Sequence, residues 1–232
     1  MVSDRDDAGR GEDAHPGSGK TGAPTTVMER DDWNRRYEGK EFLWTVEANR
    51  FVAAEVADLT PGSALDLAAG EGRNAVWLAE QGWKVRAVDF SDVAIEKGRQ
   101  LADARNVSDR VDFEVADLRG YAPEANRYDL VALLYLQLPQ AELVPILQRA
   151  ARAVAPGGTF LVVGHDTANL AGGYGGPRHP DVLYTAEQVV AAVGRELEVE
   201  KAGPVERPVE TDDGPSVAID CLVRARREAT QE

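Results

Sequence analysis

The sequence predicts an α/β domain built on a mostly parallel sheet whose last strand runs in reverse. Three observations carry this expectation. Apolar runs at residues 64–69, 85–88, 111–116 and 159–163 alternate with segments of helical periodicity, the pattern of strands joined by crossover helices. Acidic residues punctuate the first three runs, with Asp66 inside the first, Asp89 after the second and Asp117 after the third. The two last strand-like segments, 196–201 and 216–224, have no helical pattern between them, so they are expected to pair as an antiparallel hairpin.

Each element has a local reason. Residues 1–27 hold almost no large apolar side chain and cannot bury enough surface to offset their ordering entropy, which predicts a disordered tail. Residues 31–49 crowd Trp33, Tyr37, Phe42 and Trp44 into a polar stretch. Asn49 is a natural N-cap for a helix over 50–59, which Pro61-Gly62 ends before the first strand. Gly70-Glu71-Gly72 turns that strand into a helix over 73–81. Leu143, Ile146, Leu147, Ala150, Ala151 and Val154 recur at helical spacing and give one apolar face to lay on the sheet. Pro156-Gly157-Gly158 leads into the strand at 159–163, and Thr185 with Gln188 forms a capping box for a further helix.

The glycine turn and the three acids point to a nucleoside cofactor. A tight glycine turn after a buried strand lets the backbone approach a ligand, and the acid ending the next strand, Asp89, is placed to accept from ribose hydroxyls. Gly70 to Ala75 also fits the GxGxxA form of a dinucleotide fingerprint. Asp66 argues against that form, because a carboxylate four residues before Gly70 repels a pyrophosphate. S-adenosylmethionine has no phosphate and carries an ammonium and a sulfonium, so an acid there is favourable; Asp117 then suits an adenine amino group. The plain alternative is that all three acids are strand-end turn residues.

The stretches Leu65 to Asn74, Ala87 to Ser91, Ala116 to Leu118, Tyr128 to Val131 and Ala155 to Gly158 resemble the class I S-adenosylmethionine-dependent methyltransferases over roughly residues 30–225. The family often has Gly or Cys where this chain has Ala68 and Ala69. The resemblance implies a Rossmann-like, doubly wound, seven-stranded sheet with an antiparallel last strand and helices on both faces. It implies S-adenosyl-L-methionine as cofactor, with Asp66 near its amino acid end, Gly70 and Gly72 against it, Asp89 on the ribose and Asp117 on the adenine. Ala68, Arg73, Asn74, Phe90, Leu118 and Leu134 fall in or beside the same motifs and join the expected cofactor shell. The run from Trp33 to Tyr37, with Trp44 and Asn49, is similar to the N-terminal region of small-molecule enzymes related to tellurite-resistance and thiopurine methyltransferases. Trp33 and Tyr37 are therefore expected over the sulfonium, where a ring face favours a cation; the alternative is an amphipathic helix docking those rings on the core. The expected organisation is one domain over 28–232, with a helical lid at 28–60, a cofactor-binding core at 61–165 and an acceptor-side loop at 166–184. The Gly- and Pro-rich stretch 169–181 has the composition of a mobile loop.

For the chemistry, candidates follow the strand ends. His165 directly follows a core strand and is the best general base or substrate contact, against the alternative of a histidine bonded to its own loop and held by Asp166. Tyr135 is a weaker catalytic candidate, as are Tyr174 and His179. No metal-ligand spacing, P-loop or nucleophile elbow is present. The 40 acidic and 26 basic side chains give a formal charge of −14, which disfavours nucleic acid and anionic membrane as partners. A small-molecule acceptor is expected instead. The lone Cys221 leaves no internal disulfide, and the polar start and lack of a bilayer-length apolar run suit a cytoplasmic enzyme. Two further readings stand beside this one: a non-catalytic cofactor-binding module, and a nicotinamide-dependent oxidoreductase.

Overall fold

The computed structural model describes residues 27–39 and 41–229. Among the described residues seven strands form one sheet in the order β3-β2-β1-β4-β5-β7-β6. They are β1 (Ser63–Leu67), β2 (Lys84–Asp89), β3 (Val111–Val115), β4 (Tyr128–Leu134), β5 (Val154–His165), β6 (Glu198–Thr211) and β7 (Gly214–Arg226). The first five run parallel, and β7 is antiparallel to both β5 and β6. The expected fold class is thus the one observed. The final hairpin is longer than its sequence signal because β6 and β7 continue well past the apolar residues, closed by Asp212 and Asp213 between Thr211 and Gly214.

Strand alternation sorts side chains onto two cores. Leu65, Leu67, Val131, Leu133, Phe160 and Val162 face α5 (Gln140–Ala153) and α7 (Ala186–Val193). Ala64, Ala87, Leu130, Ala132, Leu161 and Val163 face α2 (Arg50–Val56), α3 (Arg73–Glu80) and α4 (Asp92–Ala104). Helices therefore cover both faces, as crossovers between parallel strands require. The caps foreseen in the sequence form: Asn49 accepts from the Phe51 N–H at 2.9 Å, and Thr185 and Gln188 make a reciprocal box. The helix predicted over 50–59 stops at Val56.

The edge strand β6 carries Pro204 and Pro208, both exposed, four residues apart on one face. Helix α1 (Arg30–Glu38) packs on α4. Of the tail expected at 1–27, residues 1–26 lie outside the described residues; Val27 packs against the core. Among the described residues no helix is long and apolar enough to cross a membrane.

Candidate cofactor and acceptor site

One cavity opens at the carboxyl ends of β1 to β5, where the sheet order reverses between β1 and β4. Its floor is strand ends: Ala68, Ala69 and Gly70; Asp89 and Phe90; Asp117 and Leu118; Leu134 to Leu138; and His165. Its roof is the N-terminal segment, with Met28, Trp33, Tyr37, Phe42 and Trp44. Arg73 and Asn74, at the start of α3, complete one wall.

The glycine turn reverses the chain by alternating left-handed residues, Ala68 at φ 58°, Gly70 at 55° and Gly72 at 76°. Ala68 holds this conformation despite its Cβ, at the position where the resembled family often has glycine. The Gly70 N–H donates to Asp89 Oδ2 at 2.8 Å, and the Ser91 N–H to Oδ1 at 2.9 Å. Burial pushes the Asp89 carboxyl above the usual range, opposed by these backbone donors. Because the Gly70 N–H is spent on Asp89 and the Gly72 N–H on the Ala69 carbonyl, the turn has neither donor to give a pyrophosphate. A Cβ on Gly70 would stand 3.1 Å from the Tyr37 hydroxyl, tighter than ordinary contact, on a left-handed backbone that favours glycine.

The roof is latched by Glu71. Its buried carboxylate accepts from the Leu43 N–H at 2.9 and 2.8 Å, the Trp44 N–H at 3.2 Å and Lys97 Nζ at 3.1 Å. Lys97 also donates to the Tyr37 carbonyl. The Asn49 N–H donates to Asn74 Oδ1 at 2.8 Å. Trp33 and Tyr37 stack with centroids 5.7 Å apart, as their i, i+4 spacing allows, and both line the cavity. On the adenine side of the expected site, Arg119 ties Glu29 to Glu142 at 2.9 and 2.5 Å and lies 3.4 Å from Asp117.

At the other end of the cavity the His165 and Tyr135 rings lie 4.8 Å apart at 53°. His165 Nδ1 sits 3.2 Å from Asp220 Oδ1. Asp220 Oδ2 accepts from the Tyr135 hydroxyl at 2.8 Å and from Arg207 Nε at 2.7 Å. Burial alone would raise the Asp220 carboxyl; His165 and Arg207 outweigh it and hold it down at about 2. Burial and the Asp220 charge push the Tyr135 phenol well up, so it stays protonated and donates.

The structure thus gathers Trp33, Tyr37, Ala68, Gly70, Arg73, Asn74, Asp89, Phe90, Asp117, Leu118, Leu134, Tyr135 and His165 around one cavity. Two expected cofactor residues are not on its wall. Asp66 points into the sheet–helix interior with Ala64, fully buried beside the Ala75 end of the α3 turn, and both its oxygens lack a hydrogen-bond partner among the described residues. Gly72 serves packing: a Cβ there would come 2.8 Å from the Phe113 ring and 3.2 Å from Gly98 Cα. The stretch 169–181 reaches His165 through Gly176, where a Cβ would stand 3.1 Å from Nδ1. Residues 169–181 contribute nothing to the cavity lining; Asn169 bonds the Gly175 carbonyl and the Ile219 N–H, fastening the loop to β7 behind His165. Asp166 does not hold His165 but accepts from the Ala168 N–H at 2.8 Å. His179 caps a short 3-10 turn, Pro180–Val182, and neither it nor Tyr174 reaches the cavity. Sequence reasoning missed Glu71, Arg207 and Asp220. Glu71 was visible as a charge inside the turn; Asp220 and Arg207 required the β6–β7 register, which pairs Asp220 with Val205.

Residues 64–158 match the family model of a methyltransferase domain. A 2-heptyl-1-hydroxyquinolin-4(1H)-one methyltransferase of Mycobacteroides abscessus is 27% identical over 160 residues, covering 68% of this chain and 66% of that protein. A demethylmenaquinone methyltransferase of Clavibacter sepedonicus is 32% identical over 124 residues, covering 53% of this chain and 48% of that protein. The chain therefore spans about half to two thirds of the length of these curated relatives. Among solved structures, TehB from Haemophilus influenzae superimposes with a TM-score of 0.64 at 18% identity, over 86% of this chain and 67% of that one, a likeness of fold. The strand order is that of the class I methyltransferase fold, and residues 64–158 carry the methyltransferase-domain match within it. S-adenosylmethionine is the cofactor that belongs to such a domain.

Proposed function

We propose that this protein methylates a small, largely apolar ring compound, with the cofactor in the Gly70–Asp89 half of the cavity and the acceptor toward Tyr135 and His165. The observation that carries this reading is the division of the cavity. One half offers a left-handed glycine turn and a strand-end carboxylate, and the other offers Leu136, Leu138 and an imidazole under an aromatic roof. The buried Asp66 carboxyl behind Ala68, pushed up to about 7, would ionise more readily beside a cationic ligand and opposes a phosphate.

S-adenosylmethionine supplies an electrophilic methyl group on a sulfonium. Asp89 would accept from the ribose hydroxyls, Asp117 from the adenine amine, and Gly70 would permit backbone approach. Trp33, Tyr37 and Trp44 exclude water and present ring faces to positive charge. The rest of the rate comes from holding the acceptor in line behind the methyl carbon. The names of the two relatives specify ring acceptors, an alkylated hydroxyquinolone and a demethylated menaquinone, and the apolar walls here suit such rings. The N-terminal aromatics support a place near the tellurite-resistance and thiopurine branch.

The test is calorimetry with S-adenosylhomocysteine, followed by radiolabelled methyl transfer to a panel of hydroxylated rings, thiols and amines. Binding with transfer to a ring acceptor is expected. Binding of NADH in place of S-adenosylhomocysteine would sink the reading, and cofactor binding without transfer to any acceptor would leave a non-catalytic binding module.

A further inference from the structure

We propose that Asp220 and Arg207, both on the final hairpin, are positioning residues that fix His165 as a proton acceptor, and that the acceptor substrate is therefore one that sheds a proton on methylation, a hydroxyl in place of a soft anion. The inference rests on the methyl-transfer reading and specifies its substrate chemistry.

The imidazole is held by three neighbours. The Tyr135 ring lies on one face, and Gly176, left-handed at φ 71°, lies so close that a Cβ there would be 3.1 Å from His165 Nδ1. Asp220 Oδ1 meets Nδ1 at 3.2 Å, while Oδ2 is held by Tyr135 and Arg207. Asp220 is fully buried and Arg207 is 2% exposed. A carboxylate satisfied by two other donors remains ionised and is an acceptor only, so it calls for N–H at Nδ1. The neutral ring then carries its basic lone pair on Nε2.

A merely structural role explains this cluster poorly. The surrounding positions Val163 and Leu222 are apolar core with Val205 packed against it, where a buried ion pair is matched or exceeded in stability by apolar side chains of similar volume. Tyr135 moreover sits in the left-handed region at φ 52°, a backbone cost that functional sites retain.

In the step this arrangement serves, the acceptor oxygen forms its bond to the methyl carbon as the methyl–sulfur bond breaks. The electron pair of that bond stays on sulfur, and the hydroxyl proton passes to His165 Nε2. Asp220 stabilises the imidazolium, and Arg207 keeps Asp220 from taking the proton itself. The proton leaves to solvent afterwards. A thiolate needs none of this, because a soft anion attacks without a base.

The experiment reads the tautomer directly in the full chain. The protein has three histidines, so 15N-histidine labelling with His15→Gln and His179→Gln isolates the His165 ring in long-range 1H–15N spectra. The neutral ring is expected to carry its proton on Nδ1; a proton on Nε2 would overturn the proposal. This arm uses no change at Asp220 and stands whether or not the following variant folds. In Asp220→Asn the proton should move toward Nε2, and turnover of a phenolic acceptor should fall about 10²- to 10⁴-fold. The loss should appear in kcat with little change in KM, and S-adenosylhomocysteine affinity should hold within about twofold. A folded Asp220→Asn protein with normal kcat, or a parent that methylates only thiols, would also overturn it. A parent that methylates nothing would sink the methyl-transfer reading instead, and the pairing would be judged by the tautomer alone.

Discussion

Asp66 is a carboxyl the fold holds at a cost. Burial first, and the neighbouring Asp89 charge second, push it up to about 7, against about 3.9 in an unfolded chain. Between those values the native state binds more protons than the unfolded one, so stability is full below about pH 4 and falls as pH rises toward 7. Asp66→Asn removes the titration. Its stability advantage over the parent should grow between pH 5 and pH 7 with a slope of at most about 1.4 kcal/mol per pH unit, read from urea unfolding at several pH values. A pH-independent difference would mean that Asp66 is not the titrating group. Asp89 is tested through affinity: Asp89→Ala should weaken S-adenosylhomocysteine binding by about 1.5 to 3 kcal/mol, the range for hydrogen bonds to a charged group. Unchanged calorimetric affinity would remove Asp89 from the site. The sequence marks Asp89 and Asp117 as site residues because they end strands, where ligands bind. Asp66 lies inside a strand, and its even-numbered parity with Ala64 turns it inward, a fact that spacing from the glycine turn alone does not convey.

At the scale of elements, the two glycines of one turn separate into two jobs. Gly70→Val meets the Tyr37 hydroxyl on the cavity side, whereas Gly72→Val drives its side chain into Phe113 and Gly98. Gly70→Val is therefore expected to abolish cofactor binding. Gly72→Val should instead destabilise the fold by about 1 to 3 kcal/mol through overpacking, with the left-handed backbone adding to the cost. Denaturant midpoints and calorimetry on both variants separate the two effects, and equal losses of stability would contradict the division. The roof is tied through Glu71 to the β1–α3 turn and, by way of Lys97, to α4. Glu71→Gln should raise hydrogen exchange at the Leu43 and Trp44 amides by about tenfold or more, since each loses a charged acceptor; unchanged protection would mean the latch is held elsewhere. Helices and strands were readable because their caps and apolar periods are local. The hairpin was readable from the missing helix between its strands, but its register was not. Val205 faces Asp220 only once 13 pairs of residues are set in line, and that is what brings Arg207 to Asp220.

For the molecule as a whole, the cavity is assembled from strand ends spread between Ala68 and His165 and roofed by Met28, Trp33, Tyr37, Phe42, Trp44 and Thr45, so a ligand there ties distant parts of the chain together. S-adenosylhomocysteine at about 100 times its Kd should stabilise the native state by about 2.7 kcal/mol, read as a rise in Tm that scales with the logarithm of ligand concentration. A Tm that ignores the ligand would contradict the site. The alternation of strands and helices made the class of architecture legible, while the reversal of strand order at β1 and β4 came with the family resemblance and not with any local period. One feature of that sheet bears on how the protein behaves in a crowd. Pro204 and Pro208 share the outward-facing parity of β6, with Glu206 between them and Glu210 beyond, all exposed. A proline has no N–H to offer, and the intervening carboxylates repel their own image. Among the described residues this long outer edge is therefore a poor template for a second chain strand for strand, so replacing both prolines by Thr and both glutamates by Val should make the protein gel or precipitate at concentrations the parent tolerates.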